Sequence, residues 1–212
     1  FILLHPPNFC GIIFVMEFGL SDYYIIGELI TCWGSVLICI NTLLSYALYD
    51  KHQRYFLVAS ASTLAASLFN IISVYFITYF FDYPVYISTI FTTLYFLVLL
   101  ICPCIMTCYV FDMAIQNKKR LKVYTFIAAG LLLGYVFLVF LNISTGWIFY
   151  YDEVKGYTRG PLKNITYVLT LAYGMAIVLT VLVHRRYLAR RIFWVFMAYP
   201  FVSIFFVAIQ FF

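Results

Sequence analysis

The chain has 212 residues, of which 66% are hydrophobic and 22% aromatic, and only 10% are charged. An average soluble domain uses about 25% charged residues, so this composition cannot coat a water-facing globule, and a mean hydropathy of +1.01 says the same. The net charge of +5 is parcelled into short segments between long apolar runs, which excludes a continuous nucleic-acid surface and leaves lipid as the main solvent.

In chain order, residues 1–15 are irregular. They open with Phe1, and Pro6 and Pro7 break the apolar stretch before it is long enough to span. They also lack the basic start and small-residue cleavage site of a signal peptide. The expectation is an extension upstream of a start at Met16. From there, six spans are predicted: Tyr23–Tyr49, Tyr55–Phe81, Val85–Phe111, Val123–Ile143, Lys163–Val183, and Ile192 to Phe212. About 20 helical residues cross a bilayer core of about 30 Å. The period-two alternation of a β-barrel is absent, and helices satisfy their own backbone in hydrocarbon. The fold class expected is therefore an all-α membrane protein, a bundle of six transmembrane helices. The last span runs to Gln210-Phe-Phe without a polar flank, as expected if these are six of seven spans. On that reading, residues 16–212 are a membrane domain that lacks its final span and whatever follows it.

The basic residues set the orientation. Lys51 and Arg54, then Lys118, Lys119, Arg120 and Lys122, then Arg185, Arg186, Arg190 and Arg191 occupy alternate connections and make up ten of the 13. The positive-inside rule places these connections in the cytoplasm and the N-terminus outside, in a multi-pass plasma-membrane topology. The same clusters are suited to anionic lipid heads.

The long outer connection between spans four and five carries most of the remaining polar character. Trp147 to Tyr151 is β-prone, Asp152 to Gly156 is turn-like, and Tyr157 to Arg159 can return as a second strand. Aromatic runs around a Gly-containing turn read as a short extracellular β-hairpin. Such a hairpin serves equally as an interfacial aromatic belt or as a lid over the outer mouth of the bundle. Asn142, Trp147, Asp152, Tyr157 and Arg159 are thus candidate ligand-binding or gating residues, joined by Glu28, an ionisable residue in the first turns of span one. Glu28 is expected near enough to the outer surface to be hydrated. Asn41 and Asn70 are expected to bond between helices, and Pro103 and Pro200 to kink spans three and six.

Catalytic machinery is not evident. Five of the six cysteines fall within predicted spans, where Cys packs as a small apolar residue. Cys104 and Cys108 share a helical face, but no His or acid is near except Asp112, which favours packing over a metal site. His52 and His184 are expected as solvated loop residues. Asn142-Ile-Ser and Asn164-Ile-Thr match the glycosylation sequon only weakly. No metal, cofactor or catalytic residue is expected in this chain.

From Met16 onward the sequence resembles the N-terminal seven-span membrane sensor region of bacterial, Firmicutes-type diguanylate cyclases, a region related to that preceding some histidine kinases. The resemblance lies in Asn142-Ile-Ser-Thr-Gly-Trp-Ile-Phe-Tyr-Tyr-Asp, Gly156-Tyr-Thr-Arg-Gly-Pro161, the basic loop after span five and Ala208-Ile209-Gln210. The Tyr83-Pro84 turn and the Tyr95 region of span three add to it. It implies a sensory input domain that passes an outer or membrane signal, a small molecule or a peptide, to a cytoplasmic effector. The effector would dimerise and would make cyclic di-GMP or autophosphorylate on His. The alternative from composition alone is a small multi-span transporter or permease component. That role needs a polar site at mid-membrane, where the sequence offers little beyond asparagines.

Overall fold

The structure is a computed structural model that describes residues 20–44 (side chains from residue 27 onward), 51–79, 83–152, 156–186, 188, 190 and 193–198. The expectations for residues 1–15, the start at Met16, the outer turn at Asp82, the hairpin tip at 153–155, Arg191 and most of span six with Pro200 lie outside the described residues. The elements are α1 (Leu20–Leu44), α2 (Lys51–Thr78), α3 (Val85–Leu99), α4 (Ile101–Ala114), α5 (Lys118–Thr145), β1 (Phe149–Asp152), β2 (Gly156–Arg159) and α6 (Ile165–Val183). Among the described residues five helical segments are long and apolar enough to cross a membrane, with α3 and α4 together forming one of them.

The surface is inverted relative to a soluble protein. Phe126 is 78% exposed and Trp33 70%, whereas Ser88 and Thr107 are fully buried. Apolar side chains outside and hydroxyls inside suit a bundle whose solvent is hydrocarbon. Between helices, small residues do the packing. The buried face of α2 carries Ala59, Ser62, Ala66, Ser67 and Ser73, a spacing that lets backbones approach where larger side chains would hold them apart. The hydroxyls of Ser62 and Thr63 donate to the Ala59 carbonyl within the same helix, so close approach leaves no orphaned donor there. On this seam α2 packs against α1, α3 and α4, while α4 also packs against α5 and α6.

Helix boundaries differ from the hydropathy boundaries in an instructive way. α2 begins at Lys51 and α5 at Lys118, so the basic residues predicted in loops form first turns of helices. For α5 the reason is local: the side chain of Asn117 accepts from the backbone N–H groups of Lys119 and Arg120 at 3.0 and 3.3 Å, an N-cap. The third span is broken at Leu100, where φ is −89° and ψ −2°. Pro103 has no N–H for the Leu99 carbonyl and its ring crowds that oxygen, so the ladder stops and resumes with Cys104 N–H on the Leu100 carbonyl at 3.2 Å. The break falls one turn ahead of Pro103, where the sequence places a kink.

Three buried clusters stack along the bundle. Leu100, Tyr135, Val139, Ile148 and Phe149 lie under the hairpin. Cys104, Phe111, Ile115, Ala128 and Tyr173 follow. Tyr109, Val110, Ile177, Val181 and Phe196 lie at the end that carries the basic residues.

Candidate functional site

The hairpin is built by the end of α5. That helix stops at Gly146, whose φ of 65° is left-handed and whose N–H bonds the Asn142 carbonyl, a glycine stop. Asn142 is 3% exposed. Its Oδ1 accepts from the N–H groups of Ile148 and Phe149 at 2.6 and 3.2 Å, and its Nδ2 donates to the Phe149 carbonyl at 3.0 Å. One side chain therefore stands in for a neighbouring strand and fixes where β1 starts. The strands pair antiparallel with Phe149 opposite Arg159 and Tyr151 opposite Tyr157. The return strand is drawn onto the α5 exit by Gly160 N–H on the Ile148 carbonyl and Leu162 N–H on the Trp147 carbonyl. A Cβ at Gly160 would collide with the Trp147 and Gly146 carbonyl oxygens, so only glycine fits before Pro161. Trp147 precedes the strand and is exposed, not its first residue as the sequence suggests.

Alternation along the strands puts Phe149, Tyr151, Tyr157 and Arg159 on one face. That face meets the bundle. Phe149 stacks on Phe96 with ring centroids 5.4 Å apart and planes 12° apart, and on Tyr157 at 6.1 Å. It shares its cluster with Leu100, the residue at the break in the third span. The Tyr151 hydroxyl bonds the Thr92 hydroxyl at 2.8 Å, which bonds the Ser73 hydroxyl at 2.7 Å. This chain of hydroxyls ties β1 to α3 and α2. Burial pushes the Tyr151 hydroxyl up to about 12, against the pull of its bond to Thr92. Burial likewise raises Tyr157, while the Arg159 charge draws it down.

Deeper polar groups come from every wall. The Glu28 carboxylate of α1 accepts from Asn70 Nδ2 of α2 at 2.7 Å, so it is half-buried and bonded across the seam. Tyr135 of α5 bonds Thr166 of α6 at 3.1 Å. Tyr95 of α3 lies within electrostatic reach of Glu28, Tyr135, Tyr157 and Tyr167. Of the sequence candidates, Asn142, Tyr157 and Arg159 converge on the hairpin with Trp147 and Asp152 beside them, and Glu28 stands apart between α1 and α2. Tyr151, Thr92 and Ser73 are not among the sequence candidates, and Tyr95 enters there only through the resemblance. Serine and threonine at helical spacing inside an apolar run, such as Ser88 and Thr92, are the signal that points to them.

The opposite end is held differently. Lys51 Nζ lies 2.6 Å from Asp112 Oδ1, joining the start of α2 to the last turn of α4. His52 is not a solvated loop residue: it lies in α2 with its ring edge-on to Tyr109 at 5.6 Å. Tyr109 also meets Phe56 and Phe196. Lys118, Lys119, Arg120, Arg185, Arg186 and Arg190 are exposed at this end. Between the ends, Cys104 Sγ and the Tyr173 hydroxyl both donate to the Ala128 carbonyl. Among the described residues no three His, Cys, Asp or Glu side chains are grouped as metal ligands.

An apolar exterior over hydroxyl-bonded interior seams, with helices of spanning length, defines an α-helical membrane protein. No protein-family model, curated protein or solved structure matches the chain.

Proposed function

We propose that the chain is the membrane-embedded input region of a bacterial signalling protein, with the hairpin outside the plasma membrane and the basic end in the cytoplasm. The observation that carries this reading is that the hairpin root, Ile148 and Phe149, shares one buried cluster with Leu100. A signal that displaces the hairpin acts on the break between α3 and α4. α4 then carries the movement to Tyr109, which touches Phe196 in the next helical segment, and to the Lys51–Asp112 pair. A proline break is a suitable hinge because the ladder there is already open. Such an input works only if the signal binds one arrangement more tightly than the other. The effector it serves is a diguanylate cyclase, or else a histidine kinase, dimeric through its own cytoplasmic part, as the sequence resemblance implies.

The test uses the full-length gene product at matched expression. Pro103→Ala restores the ladder and is expected to change cyclic di-GMP or phosphoryl output at least about twofold, a shift in equilibrium of under 1 kcal/mol. In intact cells an impermeant maleimide should label Lys163→Cys and spare Lys119→Cys. Output unchanged under every stimulus, or the reverse labelling, overturns the proposal.

A further inference from the structure

A groove of about 680 Å³ runs beside the hairpin, between the first turn of α3 and the last turns of α5. Val85, Thr89, Ile143, Trp147, Tyr150 and Tyr151 are among its walls. The hydroxyls of Thr89 and Thr145 donate to carbonyls of their own helices, which leaves the walls largely apolar and aromatic. Exposed Tyr86 and Ile143 continue that character onto the hydrocarbon-facing surface. The groove therefore opens to the membrane, at the level where Trp and Tyr settle between tails and heads.

No charged side chain lines the groove itself, but two cations, Arg159 and Lys163, lie close to its lining residues in register and in sequence. The segment from Arg159 to Lys163 is bonded beside the groove through the Ile148 and Trp147 carbonyls. Opposite residues of an antiparallel pair share a sheet face, so Arg159 shares the face of Phe149 and Tyr151, both of which line the groove. Lys163 follows Pro161, another lining residue, by two positions. Both cations are exposed, and neither has an ion pair or a side-chain hydrogen bond among the described residues. Asp152, the nearest described acid in the chain, is not among the residues that line the groove. A guanidinium and an ammonium beside an apolar trough match a phosphate head joined to an acyl chain.

We infer that this groove binds an anionic phospholipid of the outer leaflet, its phosphate between Arg159 and Lys163 and one acyl chain between α3 and α5. The inference does not need the signalling role, but its choice of leaflet rests on the topology proposed above.

The full chain, purified and placed in nanodiscs of equal phosphatidylglycerol and phosphatidylcholine, is released into native mass spectrometry to count retained lipids. Phosphatidylglycerol should be retained preferentially. Lys163→Gln, a change outside the hairpin, should lower the preference about fivefold, and Arg159→Gln with Lys163→Gln about twentyfold or more, from roughly fivefold per cation. Ile143→Trp, which fills the trough, should lower retention of both lipids, and Lys118→Gln with Lys119→Gln should change nothing. Three results would overturn the inference. They are equal retention of the two lipids by the unsubstituted chain, a preference that follows Lys118 and Lys119 instead, and displacement of the lipid by millimolar inorganic phosphate. The last would make it a soluble-anion site.

Discussion

The two ends of the bundle are held by different physics. At the hairpin end the bonds are short, neutral and buried: three to Asn142, then the Tyr151–Thr92–Ser73 chain, over stacked Phe96, Phe149 and Tyr157. At the basic end one ion pair among the described residues, Lys51–Asp112, accompanies an aromatic cluster around Tyr109, and the remaining described cations lie at the surface. Neutral bonds in a low dielectric are expensive to leave unmade, so they define one geometry. Exposed charges interact weakly with one another and orient the helices against the membrane instead. One end is shaped by the chain itself, the other by its surroundings.

That contrast is open to breaking. The largest effect is expected from Asn142→Ala, which strips partners from two N–H groups and one carbonyl at once. At about 1 kcal/mol or more for each orphaned group, the loss should reach about 3 kcal/mol. It is read as lowered thermal stability in detergent and as fast amide exchange confined to the hairpin. Retained protection there would mean the strands need no clamp.

A smaller and asymmetric effect is expected at the other end. Asp112 is only 13% exposed at its side chain and Lys51 58%. Lys51→Met strands a mostly buried carboxylate and should cost about 1–2 kcal/mol. Asp112→Asn leaves a lysine that can turn to water and should cost under about 1 kcal/mol. Molar salt should narrow the difference between unsubstituted chain and Lys51→Met while leaving the Asn142→Ala penalty intact. Equal salt sensitivity at both ends would erase the distinction.

The smallest effect concerns pH. Tyr151 has its folded value raised from 10.0 to about 12, so the native state holds this proton more tightly than the unfolded chain does. Its contribution is complete below about pH 10 and is lost as pH climbs through about 12. Hairpin amide protection should therefore be flat from pH 6 to 10 once corrected for intrinsic exchange, and Tyr151→Phe should lessen the decline above pH 10, with Tyr157, also raised by burial, supplying the rest.

Much of this was legible in the sequence, because hydrocarbon imposes long charge-free runs and the turn chemistry of the hairpin is local. The hairpin and the helix break ahead of Pro103 follow from residues close in the chain, whereas Asn142 reads in the sequence as a binding or gating candidate and shows its hold on β1 only in the structure. What stayed hidden depends on contacts between distant elements. Thr92 and Ser73 look like ordinary small residues until α2 and α3 are side by side, and the bond of Glu28 to Asn70 at 2.7 Å joins residues 42 apart in the chain. The helical first turns at Lys51 and Lys118 were missed because hydropathy marks where lipid begins, whereas caps mark where helices begin.

The Asn142 clamp also bears on the order in which the protein assembles. The hydrogen bonds that give the hairpin its shape join residues no more than fifteen apart, from Asn142 to Leu162. The bond that latches it to the bundle reaches 59 residues back, to Thr92. Local contacts close fastest, and none of these partners lies beyond Leu162. As the chain leaves the ribosome, the hairpin can thus complete these hydrogen bonds before α6 exists, and Ile165 and Leu169 of α6 then pack against the cluster at its root.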